Sequence, residues 1–362
     1  MRVKLEDVCE RGSSNIKQSD IIKMSGNYSI YGASGLAGKV NFYHQEQPYV
    51  AVVKDGAGIG RTTLNPAKSS VIGTMQYLIP KKNVLPEYLF YAVSYMHLEK
   101  YYTGATIPHI YFKDYKNEEF NLDNIEKQLE IIDVLGRCKK VIEARKQELV
   151  ELDSLTKARF VEMFGDPVSN SYGFPEATLP ELGELGRGVS KYRPRNDSKL
   201  LGGDYPLIQT GDVANAGLYI TSYGGTYSEL GLKQSKMWNK GTLCITIAAN
   251  IAKTAILEFD ACFPDSVVGF IANEKTNNIF IHYWFSFFQA ILESQAPESA
   301  QKNINLKILS ELKVIVPKKE KQDEFVEFIE QVYKSKFDTM TFAPIYAIIN
   351  LYLHTYFYQG RR

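Results

Sequence analysis

Apolar residues recur every three or four positions between Ile125 and Phe164. This spacing places them on one face of a helix, and the charged residues of both signs around them are typical of a coiled coil. Forty residues would give a helix about 60 Å long, which we expect to end at Gly165, shortly before Pro167. Such a length favours a spacer helix with a partner helix, although packing on the core of its own domain is the alternative. The apolar face consists of Ile131, Val134, Cys138, Val141, Ile142, Leu149, Leu152 and Leu155.

On either side of this helix the pattern changes to short β-like runs separated by glycine-rich turns, as in residues 49–53, 241–247 and 267–271. Runs of this kind are typical of strands. Since helical patterns are interspersed with them, the flanking sequence predicts mixed α/β domains.

Several short motifs recur at a nearly constant distance. Residues 126–128 (Glu-Lys-Gln) recur at 320–322, which is 194 residues later, and the Ser-Val-Ile-Gly sequence at 70–73 recurs as Ser-Val-Val-Gly at 266–269, which is 196 residues later. Single pairs agree, since Ile110 and Lys113 have counterparts 194 residues later in the chain. Matches in order at one offset indicate an internal duplication.

The predicted fold class is therefore α+β, with two tandem mixed α/β domains, internally duplicated and separated by the long coiled-coil helix. Two similar domains in one chain form a pseudo-dimer, and an arrangement of this kind can recognise two half-sites of a nucleic acid at a fixed spacing. The predicted segments are domain one, the helix, domain two, the start of a second helix and a divergent tail, at residues 1–124, 125–164, 165–318, 319–337 and 338–362.

Composition and charge narrow the function classes. The chain has 362 residues, of which 44% are hydrophobic and 23% charged, so a disordered or low-complexity protein is excluded. Lys and Arg number 42 against 41 Asp and Glu, which excludes a uniformly basic coat but leaves room for a local basic face.

Other sequence features favour a cytoplasmic protein. The four cysteines are far apart and form no Cys-x-x-Cys pair, which indicates reduced thiols, and residues 1–10 lack the apolar core of a signal peptide. Residues 342–358 carry no Lys, Arg, Asp or Glu but include Pro344, Asn350 and His354. This stretch is shorter than the ~20 residues of a membrane helix, so we expect no membrane span.

Two segments carry a resemblance to a known family. Residues 125–128 (Ile-Glu-Lys-Gln) open the long helix, and residues 157–167 (Lys-Ala-Arg-Phe-Val-Glu-Met-Phe-Gly-Asp-Pro) close it. Together they resemble the central conserved region of the DNA specificity subunits of type I restriction–modification systems. The similarity extends over residues 1 to about 337 and includes 55–60 (Asp-Gly-Ala-Gly-Ile-Gly), 238–241 (Trp-Asn-Lys-Gly) and Val316-Pro317.

The resemblance implies that each globular unit is a target recognition domain that reads one half of a split sequence in double-stranded DNA. It implies helices that form an antiparallel ruler and dock methyltransferase subunits, with restriction and motor subunits completing the complex. It further implies a non-catalytic chain that holds no cofactor itself, with S-adenosylmethionine, ATP and Mg in the partner subunits.

The C-terminal residues depart from the family pattern. After Phe337 the charged helical pattern gives way to residues 338–358, which carry one acid and no Lys or Arg. The duplication then leaves the first helix beyond Ala144 without a counterpart, which predicts a truncated, frameshifted or recombined end.

Several residues are candidates for DNA contact because cations and amides bind phosphates and base edges. A basic loop follows Ser190, and a second group precedes a predicted strand at its family-equivalent place in both units. A phosphate-facing turn at 55–60 adds Arg61. Solvated loops, β-turns and caps are the alternatives. The candidates are Lys191, Tyr192, Arg193, Arg195, Gln301, Lys302, Asn303, Thr106, His109 and Arg61, with Gln209, Thr210, Asn250 and Lys253 as weaker ones.

Motifs of catalysis are sparse. The five histidines show no metal-ligand spacing, and the sequence contains neither a Gly-x-Ser-x-Gly elbow nor an amino-methyltransferase Asn/Asp-Pro-Pro-Tyr/Phe segment. A nuclease triplet could only be assembled from Pro264-Asp265 with Glu311 and Lys313. The alternatives that stay open are the recognition portion of a fused restriction–methylation enzyme, a stand-alone nuclease and a helical adaptor without a DNA role.

Overall fold

The computed structural model divides the chain into two compact units, Met1–Gln147 with Met340–Arg362, and Glu148–Thr339. Each unit therefore contains part of the long predicted helix. The structure describes residues 1–104, 108–248, 250–295, 304–340, 353 and 355–358.

The first unit combines short helices with three small sheets. Its strands are β1 (Arg2–Lys4), β2 (Cys9–Ser13), β3 (Tyr28–Gly32), β4 (Gly35–Val40), β5 (Tyr49–Val53), β6 (Thr62–Asn65), β7 (Ser70–Val71), β8 (Met75–Pro80) and β9 (Glu119–Asn121). Its helices are α1 (Leu5–Val8), α2 (Gln18–Ile21), α3 (Pro86–Ser94) and α4 (Phe112–Tyr115), with a 3-10 turn at Leu98–Tyr101. The next element is α5 (Ile125–Phe164), which has the bounds that the apolar pattern predicts.

The second unit also combines helices with three small sheets. Its strands are β10 (Glu176–Thr178), β11 (Gly183–Arg187), β12 (Leu201–Leu207), β13 (Tyr219–Ile220), β14 (Gly225–Tyr227), β15 (Met237–Trp238), β16 (Leu243–Thr246), β17 (Thr254–Leu257), β18 (Ala261–Cys262), β19 (Val267–Ala272) and β20 (Lys313–Ile315). Its helices are α6 (Leu179–Leu182), α7 (Thr210–Asn215), α8 (Glu229–Lys233), α9 (Asn278–Gln295), α10 (Leu306–Glu311) and α11 (Lys319–Met340), with a 3-10 turn at Ser198–Leu200.

The sheet order confirms the duplication. The first unit has a sheet in the order β2-β8-β5-β6, and the second has β11-β19-β16-β17 followed by β13. In both, the central strand is wholly buried, because every residue of β5 and of β16 lies in the interior. Each unit thus places one apolar strand, Tyr49–Val53 or Leu243–Thr246, between two antiparallel neighbours.

The repeated Glu-Lys-Gln motif has a structural reason. The fully buried Gln128 accepts a hydrogen bond from the backbone N–H of Leu85 at 2.8 Å and donates to the carbonyls of Asn83 and Asp123 at 3.0 and 2.8 Å. Each motif glutamine donates hydrogen bonds to backbone carbonyls of its own unit, which gives these buried polar groups the partners that they need. The equivalent contacts of the buried Gln322 are with Thr276, Lys275 and Pro317.

In the second unit the end of α5 packs beside α11. The guanidinium of Arg159 lies 2.9 Å from the carboxylate of Glu324, and Lys336 pairs with Asp153. The earlier residue of α5, Asp153, pairs with the later residue of α11, and Arg159 pairs with the earlier one, so the two helices are antiparallel. Phe160 belongs to the core of this unit.

Two residues of the C-terminal tail are buried in a domain core, which the amino-acid composition of the tail does not predict. Leu353 and Phe357 are buried in the core of the first unit, and the ring of Phe357 lies 5.2 Å from that of Tyr88. They follow Phe160 and Phe164, which are buried in the second unit, by 193 residues each. The first helix beyond Ala144 therefore has counterparts at these two positions, which corrects the expectation of none.

Candidate nucleic-acid interface

The predicted basic loop of the second unit is held in place by Gln234. The side-chain oxygen of Gln234 accepts hydrogen bonds from the backbone N–H groups of Lys191 and Tyr192, at 2.7 and 3.0 Å. The guanidinium of Arg193 donates to the carbonyls of Ser190 and Tyr192 at 2.6 and 2.8 Å. The backbone is thereby fixed while the side chains of Lys191 and Tyr192 remain exposed.

Three arginines meet at Asp265. Its carboxylate bonds to Arg195 and lies 3.6 Å from a guanidinium nitrogen of Arg193, and its backbone carbonyl accepts from Nε of Arg187. These three cations and one acid give the cluster itself a net positive charge. Because Arg193 and Arg195 are about half exposed, these pairs add little to stability and act mainly to fix orientation.

A cavity of about 730 Å³ lies against this arginine cluster. It brings together three residues that the sequence predicts, Arg195, Gln209 and Thr210. The backbone N–H of Gln209 donates to Asp212 at 2.8 Å at the start of α7. The remaining lining residues are Arg187, Asn196, Leu201, Leu207, Tyr227, Ile247, Ala248, Pro264, Asp265, Ser266, Ile304 and Asn305.

Sequence reasoning missed Arg187 as a member of this site, and it named Asn305 only as the neighbour of the candidate group at residues 301–303. Arg187 ends a strand alone, without the basic neighbours that mark the loop at 191–195. Asp265 appears in the sequence only as part of a forced nuclease triplet, whereas the structure shows it bonded to arginines. One signal was present, since Ser266 begins the repeated Ser-Val-Val-Gly motif.

Asn250 and Lys253 lie in the turn between β16 and β17 and are not among the described residues that line the cavity. The hydroxyl of Thr246 accepts from the backbone N–H of Lys253 at 3.0 Å and donates to the carbonyl of Asn250. The turn role that was an alternative for these residues therefore has direct support.

In the first unit His109 lies at the end of the central strand. Its Nδ1 is 2.7 Å from a carboxylate oxygen of Asp55, and the next residue, Ile110, donates its backbone N–H to the carbonyl of Lys54 at 2.9 Å. The same contact recurs in the second unit, where Ile304 donates to Ile247 at 3.0 Å. The His109 segment and the Asn305 side of the cavity thus occupy equivalent places.

The glycine turn at 55–60 is shaped by close backbone contacts. A side chain at Gly60 would lie 2.8 Å from the backbone nitrogen of Glu99, and Gly60 also has a φ of 80°. Arg61 is exposed and donates to the carbonyl of Ala33 at 3.0 Å.

An exposed aromatic beside His109 also escaped the sequence analysis. Tyr111 is half exposed, its ring is stacked 6.4 Å from that of His109, and Lys113 lies 5.5 Å above it. Four other predicted residues, Thr106, Gln301, Lys302 and Asn303, lie outside the described residues.

Histidines, acids and cysteines, the side chains that bind metals, are spread through the part of the chain that the structure describes. No group of three or more His, Cys, Asp or Glu there could hold a metal ion. Burial raises the pKa of the Cys9 thiol to about 12 and raises that of Cys244 as well, so both are protonated at neutral pH. Among the same residues, no helix has the length and apolar character needed to cross a bilayer.

The face of α5 that the sequence predicts divides by exposure. Five of its members are half-buried, namely Ile131, Cys138, Ile142, Leu149 and Leu152. Three are exposed, with Val134 at 49%, Val141 at 53% and Leu155 at 48%. These three residues are 7 and 14 positions apart, which places them along one line of the helix, and a line of apolar side chains with this spacing can pack against a partner helix.

Comparisons with known proteins agree with one another. The family model described as "Type I restriction modification DNA specificity domain" matches residues 1–153 and 176–345. A curated relative, the putative type I restriction enzyme MjaX specificity subunit of Methanocaldococcus jannaschii, is 22% identical over 339 residues, which cover 88% of this chain and 75% of the relative.

Two solved structures share the fold. The type I restriction–modification S subunit from M. genitalium is similar with a TM-score of 0.66 at 15% identity, over 98% of this chain and 95% of that one. A chain from a study of complex assembly and conformational transition of the type I R-M system is similar with a TM-score of 0.56 at 15% identity, over 98% and 97%.

Proposed function

The chain belongs to the type I restriction–modification DNA specificity family, and from that premise we propose that it is a non-catalytic subunit that reads a bipartite site in double-stranded DNA. The observation that carries the proposal is the duplicated central sheet. In each unit a segment with candidate DNA-contacting side chains is hydrogen-bonded to the residue that follows the buried strand, beside His109 in one unit and beside Asn305 in the other. Each domain would read one half-site.

Both sites offer the side chains that such reading needs. The second domain provides Arg195, Gln209 and Thr210 around one cavity. The guanidinium of Arg195 and the hydroxyl of Thr210 suit contacts with phosphate, and the amide of Gln209 suits the edge of adenine. The first provides His109, Tyr111 and Arg61, which suit phosphate and base contacts. Lys191 and Tyr192 would bind the backbone beside the second half-site.

The partners belong to the same proposal. Methyltransferase subunits would dock on α5, and restriction and motor subunits would complete a cytoplasmic complex. S-adenosylmethionine, ATP and Mg would be held by those partners rather than by this chain.

Mapping of methylated adenines tests the DNA-reading proposal. The chain would be co-expressed with its neighbouring methyltransferase subunit, and genomic methylation would be read by long-read sequencing. We expect a split motif with a fixed gap. Replacing residues 165–318 with the equivalent unit of another family member should change one half of that motif only.

Each other outcome of this mapping contradicts part of the proposal. A palindromic motif would mean that one domain is used twice by a symmetric assembly. A swap that changes both halves, or neither, would contradict the assignment of one half-site to each domain. A complex that forms but shows no specific methylation would contradict DNA reading.

Docking on α5 is tested by placing a charge on its exposed apolar residues. Val141→Asp should reduce co-purification of the methyltransferase subunit by about tenfold or more, because the carboxylate would be buried at the interface. Lys140→Asp is the matched control, since it changes charge at a neighbouring exposed position of the same helix. Equal co-purification of Val141→Asp and wild type, with Tm unchanged, would exclude this face as the docking surface.

A further inference from the structure

We propose that Arg187 recognises a guanine in the half-site read by the second domain. This inference rests on the proposed function, since it names the base that one side chain reads within that site. Arg187 was not among the candidates from the sequence. The inference follows from a comparison of the three arginines, which shows whose guanidinium N–H groups are already bonded within the protein.

Arg187 presents an open pair of donors. Its Nε donates to the carbonyl of Asp265, and its two terminal nitrogens have no partner among the residues that the structure describes. Those two parallel N–H groups match the O6 and N7 acceptors that guanine presents in the major groove. Arg187 also lines the cavity beside Gln209 and Asn305.

The backbone below this side chain is fixed. Arg187 is the last residue of β11, where it pairs with Val268 of β19, and the following residue, Gly188, donates to the carbonyl of Val267 at 2.9 Å. Because hydrogen bonds hold both the backbone at Arg187 and the Nε of its side chain, this side chain loses little conformational freedom when it binds a base. This favours a directional contact with a base over a loose contact with phosphate.

The neighbouring arginines are less available for this task. The guanidinium of Arg193 donates to two backbone carbonyls and approaches Asp265 with its other terminal nitrogen. One terminal nitrogen of Arg195 is bonded to the Asp265 carboxylate. Arg193 therefore braces the loop, and Arg195 adds positive charge, while Arg187 retains the free fork.

The experiment measures discrimination at single base pairs. After the methylation motif of the wild-type complex is known, duplexes are made in which each guanine of the second half-site is replaced in turn by another base or by 7-deazaguanine, which lacks N7. We expect one position at which a wrong base lowers wild-type affinity by about 5- to 150-fold. Arg187→Gln should bring that ratio close to one and leave every ratio in the first half-site unchanged.

Arg195→Gln is the matched control, because it removes the same charge from the same cavity. It should lower affinity for all duplexes alike and reduce the salt dependence of binding, while it keeps discrimination at the guanine. Co-purification with the methyltransferase subunit and an unchanged Tm establish that both variants are folded.

The outcomes separate this inference from the function on which it rests. A wild-type complex without sequence-specific binding would overturn the proposed function. A specific complex whose second half-site contains no guanine, or in which Arg187→Gln keeps the wild-type ratio at every guanine, would overturn the role of Arg187 alone. Loss of discrimination in Arg195→Gln but not in Arg187→Gln would do the same.

Discussion

Substitution of Leu353 and Phe357 by alanine is expected to unfold the first domain and to leave the second folded. Both side chains are buried, and the ring of Phe357 lies among those of Tyr88 and Phe120, at 5.2 and 6.4 Å. Removing a buried phenylalanine costs about 3–5 kcal/mol and a buried leucine about 2–5 kcal/mol. Their sum is comparable with the total stability of ~5–15 kcal/mol that domains have.

Hydrogen exchange measured by mass spectrometry checks this result domain by domain. Amides of β5 in the first domain should lose protection in the variant, and those of β16 in the second should keep it. The matched control is the pair Phe160→Ala and Phe164→Ala, which should reverse the pattern. Unchanged protection of β5 in the Leu353 and Phe357 variant would refute a structural role for the tail.

Gln128→Met is expected to destabilise the first domain by about 3 kcal/mol or more. Methionine is similar in length but cannot replace the hydrogen bonds to Leu85, Asn83 and Asp123. A buried backbone group left without its partner costs ~1–3 kcal/mol, and three are affected. Chemical denaturation followed by exchange at β5 would measure the loss.

Two variants make this test specific. Gln322→Met should produce a similar loss in the second domain, because its carboxamide has the same number of partners. Glu126→Met, at an exposed position two residues before Gln128, should cost less than about 1 kcal/mol. A loss for Gln128→Met no larger than that for Glu126→Met would show that the motif glutamine is not needed for stability.

The sequence could reveal those parts of the fold that have a period or a repeat. The apolar spacing of α5 gave its bounds, and the offset of 194 residues between the two Glu-Lys-Gln motifs indicated the duplicated sheets that the structure confirms. These signals are local or are copied from one unit to the other. They depend on no particular tertiary contact.

The arginine cluster and the tail carry no such signal. Arg187 and Asp265 are 78 residues apart and meet only because β11 pairs with β19, so neither shows its partner in the sequence. Leu353 and Phe357 lie in a largely apolar stretch without Lys, Arg, Asp or Glu, where periodicity does not separate buried from exposed positions. In the basic loop at residues 191–195, charge alone does not identify a side chain that is available to DNA. Arg193 is basic, but its guanidinium donates hydrogen bonds to backbone carbonyls of the loop itself.

The division of the first domain between two distant stretches of chain affects the order of events on the ribosome. The second domain lies wholly between those stretches, so its residues are all synthesised before Leu353 and Phe357. At ~5–20 residues per second, the roughly 200 intervening residues take about 10–40 s to make. For that time the nascent first domain lacks two of the side chains that fill its core, so we expect it to complete its folding only after the second domain has been made.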